Sequence, residues 1–138
     1  MMKSRWIRWN DTPVFHLDYA NFKHDLDGLR AEVIDADKEI LREPRGTVLV
    51  LIDLRETVAS GAVVSMFKES SAITTPYIRR HALIGVSGVK RFLADKVARL
   101  AGRPMRLFDT EKAALDWLTL GASVESDDDN VIGPRATG

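Results

Sequence analysis

Two short segments of alternating character, "RWIRW" and "VFHLDY", open the chain on either side of "NDTP". Asn, Asp and Pro together mark a turn, so the pair predicts an antiparallel hairpin. Side chains alternate along a strand, which puts Phe15, Leu17 and Tyr19 on one face and His16 and Asp18 on the other. Trp6 and Trp9 differ in parity and should point to opposite faces. One of them is expected to be exposed or to meet a partner, and an exposed Trp beside a hairpin edge suits a contact between copies. The period then changes. Over residues 21–42, Phe22, Leu26, Leu29, Val33, Ala36 and Ile40 recur at three- and four-residue spacing, a helical stripe. Glu43-Pro44-Arg45-Gly46 ends it, because the residue before proline avoids the helical region.

"TVLVLID" follows as a continuous β-branched apolar run, the pattern of a strand covered on both faces in a parallel sheet. A helix is expected over residues 61–73, with Ala62, Val63, Met66, Phe67 and Ile73 inward, closed by "SSAITTP". "RHALIGV" reads as the next buried strand. Ser87-Gly88 opens a further helix, with Val89, Phe92, Leu93, Val97 and Leu100 on one side and Gly102-Arg103-Pro104 as its stop. "MRLF" is a short strand, and Asp109 or Thr110 caps a last helix carrying Ala114, Trp117 and Leu118. The order β-β-α-β-α-β-α-β-α predicts a single α/β domain over residues 1–121, a mostly parallel sheet with an N-terminal hairpin and right-handed crossovers. Residues 122–138 are polar, rich in Gly, Ser and Asp, and read as a disordered acidic tail.

Composition narrows the function classes. A chain of 138 residues with 45% hydrophobic and 29% charged residues is long enough to bury a proper core as one domain. It has no cysteine, which excludes disulfides, thiolate metal sites and a Cys nucleophile. The densest apolar run is far short of the ~20 residues of a spanning helix. "MMKSRWIRW" lacks the apolar stretch of a secretory signal. A cytoplasmic protein with no integral membrane segment is expected. Net charge is zero, which argues against wholesale nucleic-acid binding.

Two Ser-Gly pairs open helices. Ser60 sits where an N-cap belongs, its oxygen placed to accept a backbone N–H. It also sits in a βα connection at the carboxyl end of a strand, where α/β sheets bind ligands. A phosphate there would meet the positive end of a helix and bring roughly −1.5 to −2 charges to that edge. "GVSG" ends in the second pair, Ser87-Gly88, but has neither the lysine of a P-loop nor the three-glycine dinucleotide pattern. Both turns should lie at one edge of the sheet and could frame a shallow anion or ligand site. Arg55, Thr57, Gly61, Ser87 and Gly88 are its candidate contacts, and Ser60 is the candidate phosphoacceptor.

Through "VLVLIDLRETVASGAVV", "YIRRHALIGVSGVKRFL" and "MRLFDTEKAALDWL", residues 47–118 resemble the STAS domain family, the anti-sigma-factor antagonist fold, and are most like its bacterial STAS-like or CRAL-TRIO-like branch. The resemblance implies a parallel sheet backed by helices, and protein or small-ligand binding rather than catalysis. The family's phosphorylated serine, within Asp-Ser-Ser-Gly, matches Ser60 followed by Gly61. The two positions before it hold Val58 and Ala59, so the motif's Asp is absent here.

Residues 79–106 carry Arg79, Arg80, Lys90, Arg91, Lys96, Arg99, Arg103 and Arg106 against Asp95 alone. Of these, Lys90, Arg91, Lys96 and Arg99 mostly avoid the inward stripe of their helix, the pattern of a solvated helix face, or of a docking surface for an acidic partner, an anionic membrane surface or the chain's own acidic tail. RNA is disfavoured, since Phe92 and Phe108 read as core rather than as stacking platforms. His16, Asp18 and His24 have no known metal-ligand spacing, and "GVSGV" lacks the last glycine of a nucleophile elbow. The expectation is a regulatory or binding module, not an enzyme, with no metal or cofactor. It docks a protein partner near Ser60-Gly61, with Arg55, Glu56 and Thr57 lining the connection. The alternative is a carrier of a small apolar or lipid-like ligand, with a cavity lined by Met66, Phe67, Phe92 and Leu93. Self-association as a homo-oligomer is a third reading.

Overall fold

The computed structural model describes residues 2–86 and 105–121. The opening hairpin is β1 (Arg5–Trp9) and β2 (Thr12–Asp18), paired antiparallel from Trp9 opposite Thr12 to Arg5 opposite His16. Asn10 and Asp11 close it in two residues, with φ of 51° and 58°. Two left-handed residues in succession make a type I′ turn, whose twist matches that of the strands it joins. Asn and Asp are the side chains that tolerate this region at least cost.

Three more strands extend the sheet. β3 (Val48–Asp53) pairs with β2, β4 (Ile78–Ile84) with β3, and β5 (Met105–Phe108) with β4, all parallel. The spatial order β1-β2-β3-β4-β5 repeats the chain order in one mixed sheet. Three helices are described: α1 (Leu26–Ile40), α2 (Gly61–Thr74) and α3 (Glu111–Leu118). The helix expected from Ser87, the contacts Ser87 and Gly88, most of the basic run and the acidic tail lie outside the described residues.

The sheet is covered on both faces, as the uninterrupted apolar run of β3 requires. Val48 and Val50 join Phe15, Leu17, Ile78 and Leu83 beneath Leu29, Val33, Ala36 and Ile40 of α1 and Val63 and Met66 of α2. Leu49 and Leu51 face the other way, with Val14, Ala82 and Ile84, against Ala114, Leu115 and Leu118 of α3. Trp6 stacks on Phe15 on the first face, at 4.9 Å between ring centroids, while Trp9 packs into the second. Their opposite orientation follows from their parity.

Two expectations need correction. α1 begins at Leu26 with Asp25 as its cap, not at residue 21, because residues 21–24 are drawn into pairing with the β3–α2 loop. Ala62 and Ile73 point to solvent, Ile73 with 52% of its surface exposed. The inward arc of α2 runs through Val63, Met66 and Thr74. Two members of the basic run serve the fold. Arg80 Nη1 donates to the carbonyls of Trp117, Leu118 and Leu120, at 2.8, 3.4 and 3.0 Å, at the end of α3, where the last carbonyls run out of helical N–H partners. The guanidiniums of Arg80 and Arg106 lie 5.4 and 5.3 Å from the Trp117 ring centre, within cation–π range.

A buried acid ties the N-terminal residues down. Glu32, on the inward arc of α1, accepts from Lys3 N, Ser4 N and Ser4 Oγ at 2.7 to 3.0 Å.

Gly85 has a φ of +80°, and a Cβ there would lie 2.5 Å from the backbone nitrogen of Arg55. A Cβ on Gly61 would meet nothing within 4 Å. Gly85→Ala is therefore expected to cost at least about 2 kcal/mol, from the left-handed backbone plus the clash. Gly61→Ala, at the first residue of α2, should gain roughly 0.5–1 kcal/mol. Urea unfolding of the two variants against the parent checks the contrast in sign.

Candidate functional site at the carboxyl edge of the sheet

The β2–α1 and β3–α2 connections leave the carboxyl edge of the sheet side by side. They continue the parallel pairing beyond the strands. Tyr19 N donates to Asp53 O, Asn21 N to Arg55 O, Lys23 N to Glu56 O and Val58 N to Lys23 O, at 2.8 to 3.1 Å. Asn21, Lys23 and Glu56 hold left-handed backbone, with φ of 63°, 52° and 58°. Such conformations cost about 1–2 kcal/mol each and persist only where surrounding bonds impose them.

Thr57 is the pin between the two loops. It is buried, its hydroxyl donating to Tyr19 O at 2.7 Å and accepting from Phe22 N at 3.1 Å. Its oxygen is thus spent inside the fold rather than offered to a ligand.

Arg55 is fixed from below by an acid. Asp53 ends β3 with only 3% of its surface exposed, and its carboxylate accepts from Arg55 N at 3.0 Å, Nε at 3.0 and 3.2 Å, and Nη2 at 2.6 Å. Burial pushes the Asp53 carboxyl up, but the hydrogen bonds and charge of Arg55, helped by His16, outweigh it and hold the group below the usual carboxylate range. Glu111 at the start of α3 lies 4.0 Å from the same Nη2. The guanidinium therefore reaches the edge already balanced by two carboxylates. Beneath it, buried His16 has its Nε2 4.0 Å from Asp53 Oδ2, and neither ring nitrogen has a hydrogen-bond partner among the described residues.

Ser60 is exposed and caps α2. Its backbone is extended, with φ −75° and ψ 170°, and Oγ accepts from Val63 N at 3.3 Å. Gly61 above it borders open space. Between Ser60 and the start of α1 lies a groove of about 150 Å³. Leu26, Leu29 and Val63 form its apolar part, and Lys23, His24, Asp25, Val58 and Ser60 complete it.

A second concavity, about 70 Å³, lies between the helices and the sheet. Leu17, Ile52, Phe67, Leu83 and Met105 make it apolar, and Tyr19, Asp37, Ser70 and His81 give it polar corners. Asp37 accepts from Ser70 Oγ at 2.7 Å, joining α1 to α2. Burial pushes its carboxyl up to about 6, with the Ser70 bond opposing. Burial and the charges of Asp37 and Glu32 likewise push the Tyr19 hydroxyl upward. Of the residues expected to line a carrier cavity, Phe67 does so, Met66 is packed in the core, and Phe92 and Leu93 lie outside the described residues.

His16, Asp18 and His24 do not converge, and among the described residues no cluster of three His, Cys, Asp or Glu could hold a metal ion. No described helix is long and apolar enough to cross a membrane. No family model matches this chain, and no curated protein or solved structure matches it either.

Asp53, Asp37 and Glu32 are the residues that pattern reading passed over. Asp53 carried a signal, an acid ending a buried strand two positions before an arginine. Asp37 and Glu32 carried a weaker one, as acids beside the apolar stripe of α1.

The two carboxyls give opposite pH dependences. Asp53 is held low, so its contribution is present above the unfolded value of about 3.9 and is lost as pH falls through its lower folded value. Asp37 is raised to about 6, so folding gains stability as pH falls from above 6 toward the unfolded value. Asp37→Asn should raise stability at neutral pH and flatten the profile between those limits. Asp53→Asn should remove the acid-limb loss and lower stability at pH 7. Thermal unfolding followed across pH 3–8 reads both. Separately, Ser60→Ala should cost about 1 kcal/mol through loss of the cap, and Ser60→Asp should restore it.

Proposed function

We propose that this chain is a non-enzymatic regulatory module of the STAS-like kind, which docks a protein partner over the Ser60-Gly61 start of α2. The observation that carries the reading is the groove beside Ser60. It has an apolar floor, an exposed hydroxyl at its rim, and walls held by backbone pairing. Ser60, which the STAS resemblance would make the phosphoacceptor, lies at the open rim, and this supports the reading. A phosphate on Ser60 would sit at a helix N-terminus, in a groove that Lys23 and His24 also line, and would change the charge a partner meets there. Arg55, neutralised by Asp53 and Glu111, takes a supporting place at this edge.

A carrier of a small apolar ligand is the second reading, favoured by the cavity under α2. Its volume is that of about five to seven waters at the ~10–15 Å³ each requires. This limits an occupant to a small fragment unless the helices part. Small polar-tipped apolar molecules fit its lining better than long lipid chains.

Native mass spectrometry of protein purified gently from its own host separates these readings. The docking module should carry a phosphate adduct that Ser60→Ala abolishes, or a bound polypeptide that Ser60→Asp releases. A bound small molecule retained in both variants would replace the docking reading with the carrier. Bare chain in every preparation would leave Ser60 as a helix cap alone.

A further inference from the structure

The first strand is an edge of the sheet, and its sequence is complementary to itself. β1 is Arg5-Trp6-Ile7-Arg8-Trp9, and among the described residues β2 is its sole neighbour in the sheet. Pro13 has no N–H to give to Arg8 opposite it, so that pair belongs to the non-hydrogen-bonded set of the ladder. By alternation, Ile7 opposite Val14 exchanges bonds within the hairpin, and Trp6 and Arg8 turn their N–H and C=O groups outward.

A second copy can use those outward groups only in registers that set even residues against even residues. In the antiparallel register centred on Ile7, Trp6 faces Arg8 of the other copy, Arg8 faces its Trp6, and Arg5 faces its Trp9. Opposed residues lie on one side of the sheet, so every arginine gains an indole and no arginine meets another. The registers centred on Trp6 or Arg8 would set like against like at their centre. Ile7 meets Ile7 on the axis in the closer, non-hydrogen-bonded kind of pair, beside the apolar cluster it already joins.

The side chains are placed for this. Trp6 is 37% exposed, lying over Phe15. Arg8 donates through Nη2 to Asp11 O at 2.7 Å, which holds the guanidinium beside the turn. On the other face Trp9 Nε1 donates to Asp116 Oδ1 at 2.8 Å, so an arginine arriving opposite Trp9 also approaches a carboxylate.

We propose that two copies of this chain associate through β1, two-fold about Ile7, to join their sheets into one continuous sheet. The contact is short, below the ~1,200 Å² of a standard interface, so the dimer is reversible and concentration-dependent. The competing account is that Arg5 and Arg8 guard an edge against pairing.

Sedimentation of the full chain over a wide concentration range, with amide hydrogen exchange at both ends of that range, tests the register. The dimer should grow with concentration, and protection should rise at the amides of Trp6 and Arg8 while Ile7, already bonded within the hairpin, stays unchanged. Arg8→Glu should weaken association by on the order of tenfold, because the arginine–indole pair is lost twice. Its far-ultraviolet circular dichroism would show that the fold survives. A chain monomeric at every concentration would overturn the proposal in favour of edge protection. So would a dimer that leaves the Trp6 and Arg8 amides unprotected, or one indifferent to Arg8→Glu.

Discussion

β3 has no wet face, and the rest of the structure follows from that. Val48 and Val50 need α1 and α2 above them, and Leu49 and Leu51 need α3 below. Neither set could be left exposed without forfeiting about 1.5–3 kcal/mol per side chain. The same enclosure governs the strand's end. Asp53 finishes β3 inside the covered region, where an unpaired carboxylate would be costly, so the next residues must bring a cation back to it. Arg55 does so through its backbone N–H and its side chain together. The loop that carries Ser60 therefore leaves the sheet in a direction set by charge neutralisation as much as by turn geometry.

Gly85 follows from the same demand. Arg55 folds back over the end of β3 and its backbone comes against the residue after β4, where no Cβ fits. Gly85, the first glycine of the GVSG stretch, thus has a packing reason of its own.

Periodicity made the sheet legible. The parity of Phe15, Leu17 and Tyr19, the two-faced run of β3 and the four residues of β5 all follow from side-chain alternation and burial, which act locally. What was not legible depends on partners distant in sequence. The spacing of Phe22 extends the α1 stripe, but residues 21–24 lie next to a loop more than thirty positions ahead, and that pairing overrides helical preference. Charge counting groups Arg80 and Arg106 with the basic run, but only the fold shows that both lie against the Trp117 ring and that Arg80 reaches the end of α3. Thr57 read as a loop contact, but its hydroxyl is saturated by Tyr19 and Phe22, and only the paired loops reveal that. The cap at Ser60 was legible because capping is decided within one helical turn.

The groove beside Ser60 is walled in part by loops that behave as sheet. A loop surface ordinarily loses conformational entropy when a partner orders it, about 0.5–1.5 kcal/mol for each immobilised side chain besides its backbone. Here Asn21, Lys23 and Glu56 are already held in left-handed conformations by the ladder and by Thr57. That cost is met in folding, not in recognition. A rigid wall of this kind favours discrimination over adaptability, since it cannot reshape to admit a poorly matched surface. It also makes a single charge at the rim more consequential. A flexible loop could swing an added phosphate away into water, whereas Ser60, tied to Val63 at the head of α2, would hold that charge at the rim of the groove.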